Sequence, residues 1–274
     1  MTAATTNNVS PDASVVLNKE EEKLRSLVEE SDAKFIPLTM GGAGRTNVTS
    51  EPLVALMENI TLKDLKRMTN KFYEKAFQDE TLDKFIHSHS DPHGSRFAKW
   101  VHQKLSGSNV WDKDRNSRKN LQEPVRLADG QKYVVHDRTS AHVAAWNSAK
   151  RPQKEVGRHF QLDECRVWMR LHFWALRESG LMEKSPTFSN YYVRFIGHFV
   201  RIYESTAPQF ARDSFRWSAS EENIKTYEAS GRKMTDVLGL TLGEAIRQIP
   251  SSEAKDLEWP YNNQADDDHG SFDV

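Results

Sequence analysis

Histidine is the residue type of this sequence with the widest scope for metal or acid–base chemistry, and the chain has 10 histidines in 274 residues. His87, His89 and His93 form the pattern H-x-H-x-x-x-H in a predicted loop. Imidazoles at this spacing could bind zinc or copper, but the Cys or Glu partners of common zinc patterns are missing. We therefore favour separate roles for these three side chains, and a shared metal site stays open as the alternative.

His142 differs from the other histidines through its neighbours. It lies in residues 137–146, a segment that predicts a short helix in which small residues flank the imidazole. A flat metal cofactor held by one imidazole needs a neutral ring on a rigid helix, close approach of that helix, and apolar walls. The small neighbours permit this approach, although a single helical histidine taken alone is more often structural.

Common catalytic motifs are absent from the sequence. There is no P-loop, no GxGxxG fingerprint and no GxSxG elbow, and residues 41–44 lack the flanking strand and helix of a phosphate-binding loop. Cys165, the one cysteine, lies beside the apolar stripe of a predicted helix. Inert packing is the simpler interpretation of this thiol.

The composition indicates a soluble protein without a nucleic-acid or membrane partner. Lys and Arg number 38 against 39 Asp and Glu, and no basic stripe follows any predicted element. No apolar run approaches the length of a membrane span, and residues 1–14 lack the features of a signal peptide. One cysteine excludes an intrachain disulfide and fits a reducing compartment, so we expect a cytoplasmic location.

Apolar residues recur at intervals of three and four along the interior of the chain, which predicts amphipathic helices. Thr61 and Asp64 resemble a capping box at the start of the first helix. The predicted stripes are Leu62, Leu65, Met68, Phe72 and Ala76; Phe97, Trp100, Val101 and Leu105; Val167, Trp168, Leu171 and Ala175; and Tyr192, Phe195, Ile196, Phe199 and Tyr203. Shorter helices are predicted near residues 221–238 and 242–249. The predicted fold class is all-α.

One β-hairpin is predicted inside this helical pattern. Residues 125–127 and 133–135 flank Asp129 and Gly130, and Asp-Gly between apolar residues is a hairpin signal. Because an isolated hairpin is marginally stable, we expect it to be an insertion and not part of a core.

Five segments between residues 72 and 178 occur in the order of one known family. They are Phe-Tyr at 72–73 with an acidic turn at 79–82, Phe85-Ile86, the helix and turn at 97–111 around Gly107, Thr-Ser-Ala-His-Val at 139–143, and Asp-Glu-Cys-Arg-Val-Trp-Met at 163–169. Together they resemble a truncated haemoglobin, most closely the group with a tryptophan deep in the distal pocket. The resemblance covers under half of the chain.

This resemblance implies a globin-like core of the two-over-two type that binds haem b, with additional C-terminal helices. His142 would be the proximal iron ligand, with its Nδ1–H bonded to a backbone carbonyl. The other cofactor-binding residues would be Tyr73, Phe85, His93, Phe97 and Trp168. Ile86 would take the place of Phe85 on the haem face if no residue is deleted in the preceding turn. Tyr73 would direct its hydroxyl at a distal ligand, Trp168 would wall the same pocket, and His93 would take the gate position.

The function implied by the resemblance is reversible binding of dioxygen or another diatomic ligand. Two alternatives stay open. One is a haem-dependent enzyme such as a nitric-oxide dioxygenase or a peroxidase, which would need an external reductase. The other is a haem-free helical sensor or interaction protein.

The chain departs from the family pattern in three places. The family's Gly-Gly-Pro turn is Ser-Gly-Ser at 106–108, and a stretch that contains the predicted hairpin separates Asp114 from His136. The connection at 147–159 is also longer than the family uses. This insertion makes His159 a rival of His142 for the iron. Its basic residues could bind the haem propionates, although a solvated loop is the simpler interpretation: Lys150, Arg151, Lys154 and Arg158.

Four regions follow from these observations. We expect a flexible N-terminal extension at 1–50 with a short charged helix at 15–30, and a globin-like haem-binding domain at 51–205. A helical C-terminal extension is expected at 206–250, followed by a disordered acidic tail at 251–274.

Overall fold

The computed structural model describes residues 51–119 and 124–249. The predictions for the N-terminal extension, its charged helix and the acidic tail lie outside these residues. Within the described part the fold is all-α, as the apolar periodicity predicts. No helix there combines the length and apolar character needed to cross a bilayer.

The described residues form eleven α-helices and one two-stranded sheet. The helices are α1 Glu51–Leu56, α2 Leu62–Ala76, α3 His93–Ser106, α4 Val110–Arg118, α5 Arg138–Trp146, α6 Leu162–Glu178, α7 Leu181–Lys184, α8 Pro186–Val200, α9 Ala211–Trp217, α10 Glu221–Ala229 and α11 Leu242–Arg247. The strands are β1 Val125–Arg126 and β2 Lys132–Tyr133, and short 3₁₀ turns occupy Asp83–Phe85, Gln153–Glu155 and Ala207–Phe210.

Helix α2 begins where the capping box predicts. The Thr61 hydroxyl accepts a hydrogen bond from the Asp64 backbone, and the Asp64 carboxylate accepts one from the Thr61 backbone at 2.9 Å. Both bonds satisfy amide groups that a helix start would leave unpaired. The stripe predicted for this helix is buried at Leu65, Met68 and Phe72, which confirms the predicted face.

Helices α2 and α3 cross at very short range, and one glycine makes the crossing possible. A Cβ added at Gly94 would lie 2.9 Å from the Asn70 Cα, so any larger residue would push the helices apart. The Thr69 hydroxyl donates to the Gly94 carbonyl at 2.7 Å and fastens the crossing. Helix α3 ends at Gly107, whose φ of 69° is left-handed, a conformation that glycine adopts without strain.

Helix α6 is the centre of the fold. It packs against α2 on one side and α9 on another, and it is buried around most of its circumference. Val167, Leu171 and Ala175 of the predicted stripe are fully buried, whereas Trp168 keeps intermediate exposure.

The hairpin prediction is confirmed. β1 and β2 pair antiparallel, with Val125 opposite Tyr133, and Gly130 has a positive φ in the turn between them. Leu127 forms an additional bridge to Ser148, which ties the hairpin to the segment after α5. The helix predicted near residues 221–238 is shorter, because α10 ends at Ala229 and Gly231 and Arg232 both adopt positive φ. Helices α1, α4, α7 and α9 have no counterpart among the predicted helices.

The C-terminal helices share the core of the preceding part of the chain. The Tyr227 hydroxyl donates to the Asp79 carboxylate at 2.8 Å, and both groups are buried. Met234 and Val237 lie in the same apolar cluster as Phe72 of α2. The segment from residue 206 therefore packs against α2 and α6 in one shared apolar cluster.

Candidate functional site

A cavity of about 270 Å³ lies between α2, α3, α5 and α6. Interiors of folded proteins contain few voids larger than a single water, so a space of this size is a candidate ligand site. All six residues predicted for the site line it: Tyr73, Phe85, His93, Phe97, His142 and Trp168. Each keeps intermediate exposure, as expected of side chains that border a cavity.

Helix α5 positions His142 through a well-defined start. The Asp137 carboxylate accepts a hydrogen bond from the Ser140 backbone at 2.8 Å, and the Ser140 hydroxyl accepts one from the Asp137 backbone at 2.9 Å. These bonds hold the pKa of Asp137 below its usual value, although burial acts in the opposite direction. His142 lies one turn further on, and Ala141, Ala144 and Ala145 beside it also border the cavity.

The His142 ring is enclosed by aromatic rings. The ring of Phe160 meets it edge-on at 5.7 Å, and that of Trp146 is stacked at 6.1 Å. Burial, assisted by the nearby Arg138 charge, lowers the pKa of His142 to about 3. The imidazole is therefore neutral at physiological pH, which is the state in which it can bind a metal.

The hydrogen-bond partner of His142 is a side chain, which corrects the prediction of a backbone carbonyl. Nδ1 of His142 lies 2.9 Å from the hydroxyl of Tyr203, just beyond the end of α8. Arg138 donates to the same hydroxyl at 3.3 Å. Within the part of the chain that the structure describes, Nε2 of His142 has no hydrogen-bond partner, so this nitrogen is available to a ligand.

The rival histidine lies outside the cavity. The His159 ring is exposed and stacks on the ring of Trp146, with centroids 4.1 Å apart. Neither His159 nor Trp146 is among the residues that line the cavity. Of the two candidates, His142 is the one placed to meet a ligand in the cavity.

Tyr73 and His93 form the wall contributed by α2 and the start of α3. Their rings are stacked with centroids 5.3 Å apart, and burial raises the pKa of Tyr73 to about 12. Nε2 of His93 lies 2.9 Å from the Ser88 carbonyl and donates to it. Burial also lowers the pKa of His93, which favours the neutral ring. The hydrogen bond to Ser88 ties this ring to the loop before α3.

Trp168 of α6 and Phe97 of α3 form another part of the wall. Phe97 meets the indole edge-on at 6.3 Å, and Phe72 does so at 5.3 Å. Behind the indole, the His172 ring is stacked at 4.6 Å, and its Nε2 bonds the Tyr192 hydroxyl at 2.8 Å. Burial lowers the pKa of His172 to about 3, so it is a neutral, hydrogen-bonded core histidine.

The loop histidines do not share a metal site. His87 bonds the Ala144 carbonyl at 2.9 Å, His89 pairs with Asp83, and His93 bonds Ser88. No group of three or more metal-ligating side chains occurs among residues 51–119 and 124–249. The bond from His87 instead ties the loop before α3 to the helix that carries His142.

The basic residues at the cavity come from helices, not from the insertion at 147–159. Arg96, Arg118 and Arg138 line the cavity, whereas the four basic residues of the insertion do not. The Arg151 side chain is fully buried, lies over the Phe85 ring and donates to the Trp146 carbonyl at 3.0 Å. At Arg151 the insertion therefore packs against Phe85 and Trp146 and is not a solvated loop.

Cys165 also borders the cavity from α6. Its side chain is buried, and burial raises the pKa of the thiol well above its usual value. A thiol in this state is a weak nucleophile, which agrees with the packing role expected from the sequence.

Comparison of the chain with protein families, curated proteins and solved structures finds no match. A function can therefore be inferred only from the geometry of the site. The sequence patterns do not indicate that Arg138, Tyr203 and His87 belong to the site. Tyr203 ends a recognised apolar stripe, but nothing in the spacing shows that its hydroxyl meets a ring 61 positions earlier.

Proposed function

We propose that this protein is a haem b protein with a globin-like helical core, and that it reversibly binds dioxygen or another diatomic ligand. One observation carries the proposal. Six residues chosen from five separate parts of the sequence border a single cavity. Separate packing roles would not require residues so far apart in the chain to face the same space.

The side chains around the cavity suit haem chemically. A haem needs one neutral axial imidazole, flat apolar walls and cations for its two carboxylates. His142 supplies the imidazole, and its small neighbours on α5 leave room for a flat ring. Tyr73, Phe97 and Trp168 supply aromatic walls, and three cavity-lining arginines could pair with the carboxylates: Arg96, Arg118 and Arg138.

Haem, when bound, supplies an iron atom that coordinates diatomic ligands. The protein would orient the haem, donate hydrogen bonds to the bound ligand and exclude water from the cavity. Tyr73 and Trp168 both border the cavity, and their hydroxyl and indole N–H could donate to a ligand with partial negative charge. A hydrogen bond to such an acceptor contributes about 1.5–3 kcal/mol, which slows ligand release.

The partner of His142 favours reversible binding over peroxidase chemistry. A carboxylate bonded to Nδ1 would make a proximal imidazole more basic and would favour O–O bond cleavage. The partner here is a phenol that also accepts a bond from Arg138, so its oxygen is a weak acceptor. Burial keeps that phenol neutral, since it raises the pKa of Tyr203 to about 12.

Titration of the purified haem-free chain with ferric haem tests the proposal. We expect binding of one equivalent, a strong Soret band and quenching of tryptophan fluorescence, because Trp168 and Trp100 border the cavity. Weak binding at many equivalents, with no sharp end point, would instead support a haem-free helical protein. Rapid consumption of nitric oxide by the dioxygen-bound form with an added reductase would support the enzyme alternative.

A further inference from the structure

We propose that Tyr203 is a positioning residue for His142: its hydroxyl holds the imidazole with Nε2 toward the cavity, and it can serve either neutral tautomer. The proposal deepens the proposed function, because holding Nε2 in place matters most when a metal binds there. Its core can nevertheless be tested without haem. Tyr203, the hydrogen-bond partner of His142, belongs to the C-terminal half of the core and is 61 positions from His142 in the chain.

The phenol ring is itself fixed by packing. It meets the His142 ring at 4.8 Å with planes 78° apart, and the rings of Phe160 and Phe199 at 5.5 and 5.7 Å. Edge-on contacts of this kind are favourable aromatic geometry. A rigid phenol can therefore fix the orientation of the imidazole to which it is bonded.

Arg138 fixes the oxygen of the same phenol. A guanidinium can only donate, so Tyr203 accepts from Arg138 and retains one lone pair and one proton for His142. Arg138 and His142 lie one turn apart on α5, so both bonds join that helix to the end of α8. Together they form a two-point attachment of α5 at the level of the candidate ligand.

The remaining lone pair and proton make the hydroxyl a reversible partner. With no metal, the Tyr203 O–H can donate to Nδ1 while the imidazole proton lies on Nε2. With a metal on Nε2, that proton must lie on Nδ1, which then donates to the Tyr203 oxygen. The imidazole is neutral in both arrangements, and the ring need not rotate. A backbone carbonyl, which only accepts, could serve the second arrangement alone.

The test compares Tyr203→Phe with Tyr192→Phe. Tyr192 makes the same kind of bond, to Nε2 of His172 at 2.8 Å, but neither residue borders the cavity. Each substitution removes one hydroxyl and keeps the ring, so packing changes are matched. In the haem-free chain, ¹⁵N NMR of the imidazoles should show His142 with its proton on Nε2, and Tyr203→Phe should give a mixture of tautomers. Tyr192→Phe should leave His142 unchanged.

The haem-loaded protein supplies the second readout. Loss of a hydrogen bond behind a metal-bound histidine typically costs 10- to 100-fold in affinity, so Tyr203→Phe should release haem about 10-fold faster. The iron–histidine stretching band should shift in Tyr203→Phe and not in Tyr192→Phe. Unchanged tautomers in the haem-free chain, or an unchanged band in a variant that binds haem, would overturn the role of Tyr203. Failure to bind haem in every variant would instead refute the proposed function and leave the tautomer result standing.

Discussion

The rings of Tyr73 and His93 are stacked with their centroids 5.3 Å apart, and both residues border the cavity. His93 donates its Nε2 proton to the Ser88 carbonyl, so we expect the Tyr73 hydroxyl to be the group of this pair that donates to a ligand. The sequence resemblance gave both residues a place in the distal pocket. The structure distinguishes them by their partners.

Tyr73→Phe should therefore speed dioxygen release far more than His93→Leu. Loss of a hydrogen bond worth about 1.5–3 kcal/mol corresponds to a rate increase of about 10- to 100-fold. His93→Leu should change the same rate by less than about fivefold, since its Nε2 bond is to the backbone. Ligand replacement after rapid mixing measures both rates. Equal effects of the two substitutions, or a larger effect of His93→Leu, would contradict the assignment of Tyr73 as the donor.

Arg118→Gln should weaken haem retention. Arg118 lines the cavity from α4, where it also pairs with Asp114, and it could bind a haem carboxylate. Arg115 lies on the same helix, pairs with Asp112 and does not border the cavity. An exposed ion pair contributes up to about 1 kcal/mol, so haem transfer to an excess of a globin acceptor should be about fivefold faster in Arg118→Gln. Arg115→Gln is the matched control and should release haem at the wild-type rate; identical rates in both variants would exclude Arg118 from the site.

The haem-free protein should lose stability as the pH falls below about 6.5, in part through His172. Its pKa is lowered to about 3 by burial, so between these values the unfolded chain takes up a proton that the folded chain does not. The stability from this group is thus present above the unfolded-state pKa and is lost on acidification. The maximum slope is about 1.4 kcal/mol per pH unit.

The double variant His172→Phe, Tyr192→Phe removes this proton linkage and leaves no unpaired hydroxyl. Urea unfolding compares its free energy of unfolding with that of the wild type at pH 7 and pH 5. The wild type should lose roughly 2 kcal/mol more than the double variant between these conditions. Equal losses would show that His172 is protonated in the folded protein.

Asp213→Asn should destabilise the chain strongly. The Asp213 carboxylate on α9 lies 3.3 Å from the Arg166 guanidinium and 3.8 Å from that of Arg170, and both arginines are buried in α6. Removal of the shared anion leaves buried cations poorly compensated, which costs about 3–5 kcal/mol. Glu221→Gln breaks an exposed pair with Lys225 and should change the free energy of unfolding by less than about 0.5 kcal/mol. Similar effects of both substitutions would show that α9 is not fastened to α6 through Asp213.

The local parts of the fold were predictable from the sequence because short-range physics decides them. The capping box at Thr61, the apolar face of α2 and the turn at Gly130 each depend on residues a few positions apart. Helix α10 is shorter than the periodicity indicates, because the turn at Gly231 ends it before apolar residues that pack without helical structure.

The residues of the site that the sequence predicts are indicated by their neighbours in the chain, whereas the others depend on contacts between distant segments. The neighbours of His142 in the chain, together with the ordered resemblance, indicate this residue. The spacing does not indicate Tyr203 or the cavity-lining arginines, because their roles depend on how α5 meets the end of α8 and on how α3 and α4 border the cavity. The basic insertion also illustrates this limit: its composition indicates a solvated loop, whereas the side chain of Arg151 within it is buried.

The most direct test of the central claim is the absorption spectrum of haem-loaded His142→Gly, recorded with and without added imidazole and beside His159→Gly. If His142 holds the iron, His142→Gly should show a weakened and shifted Soret band that free imidazole restores, because imidazole can fill the space left by the side chain. His159→Gly should match the wild type. A wild-type spectrum from His142→Gly, or an altered one from His159→Gly alone, would contradict the account.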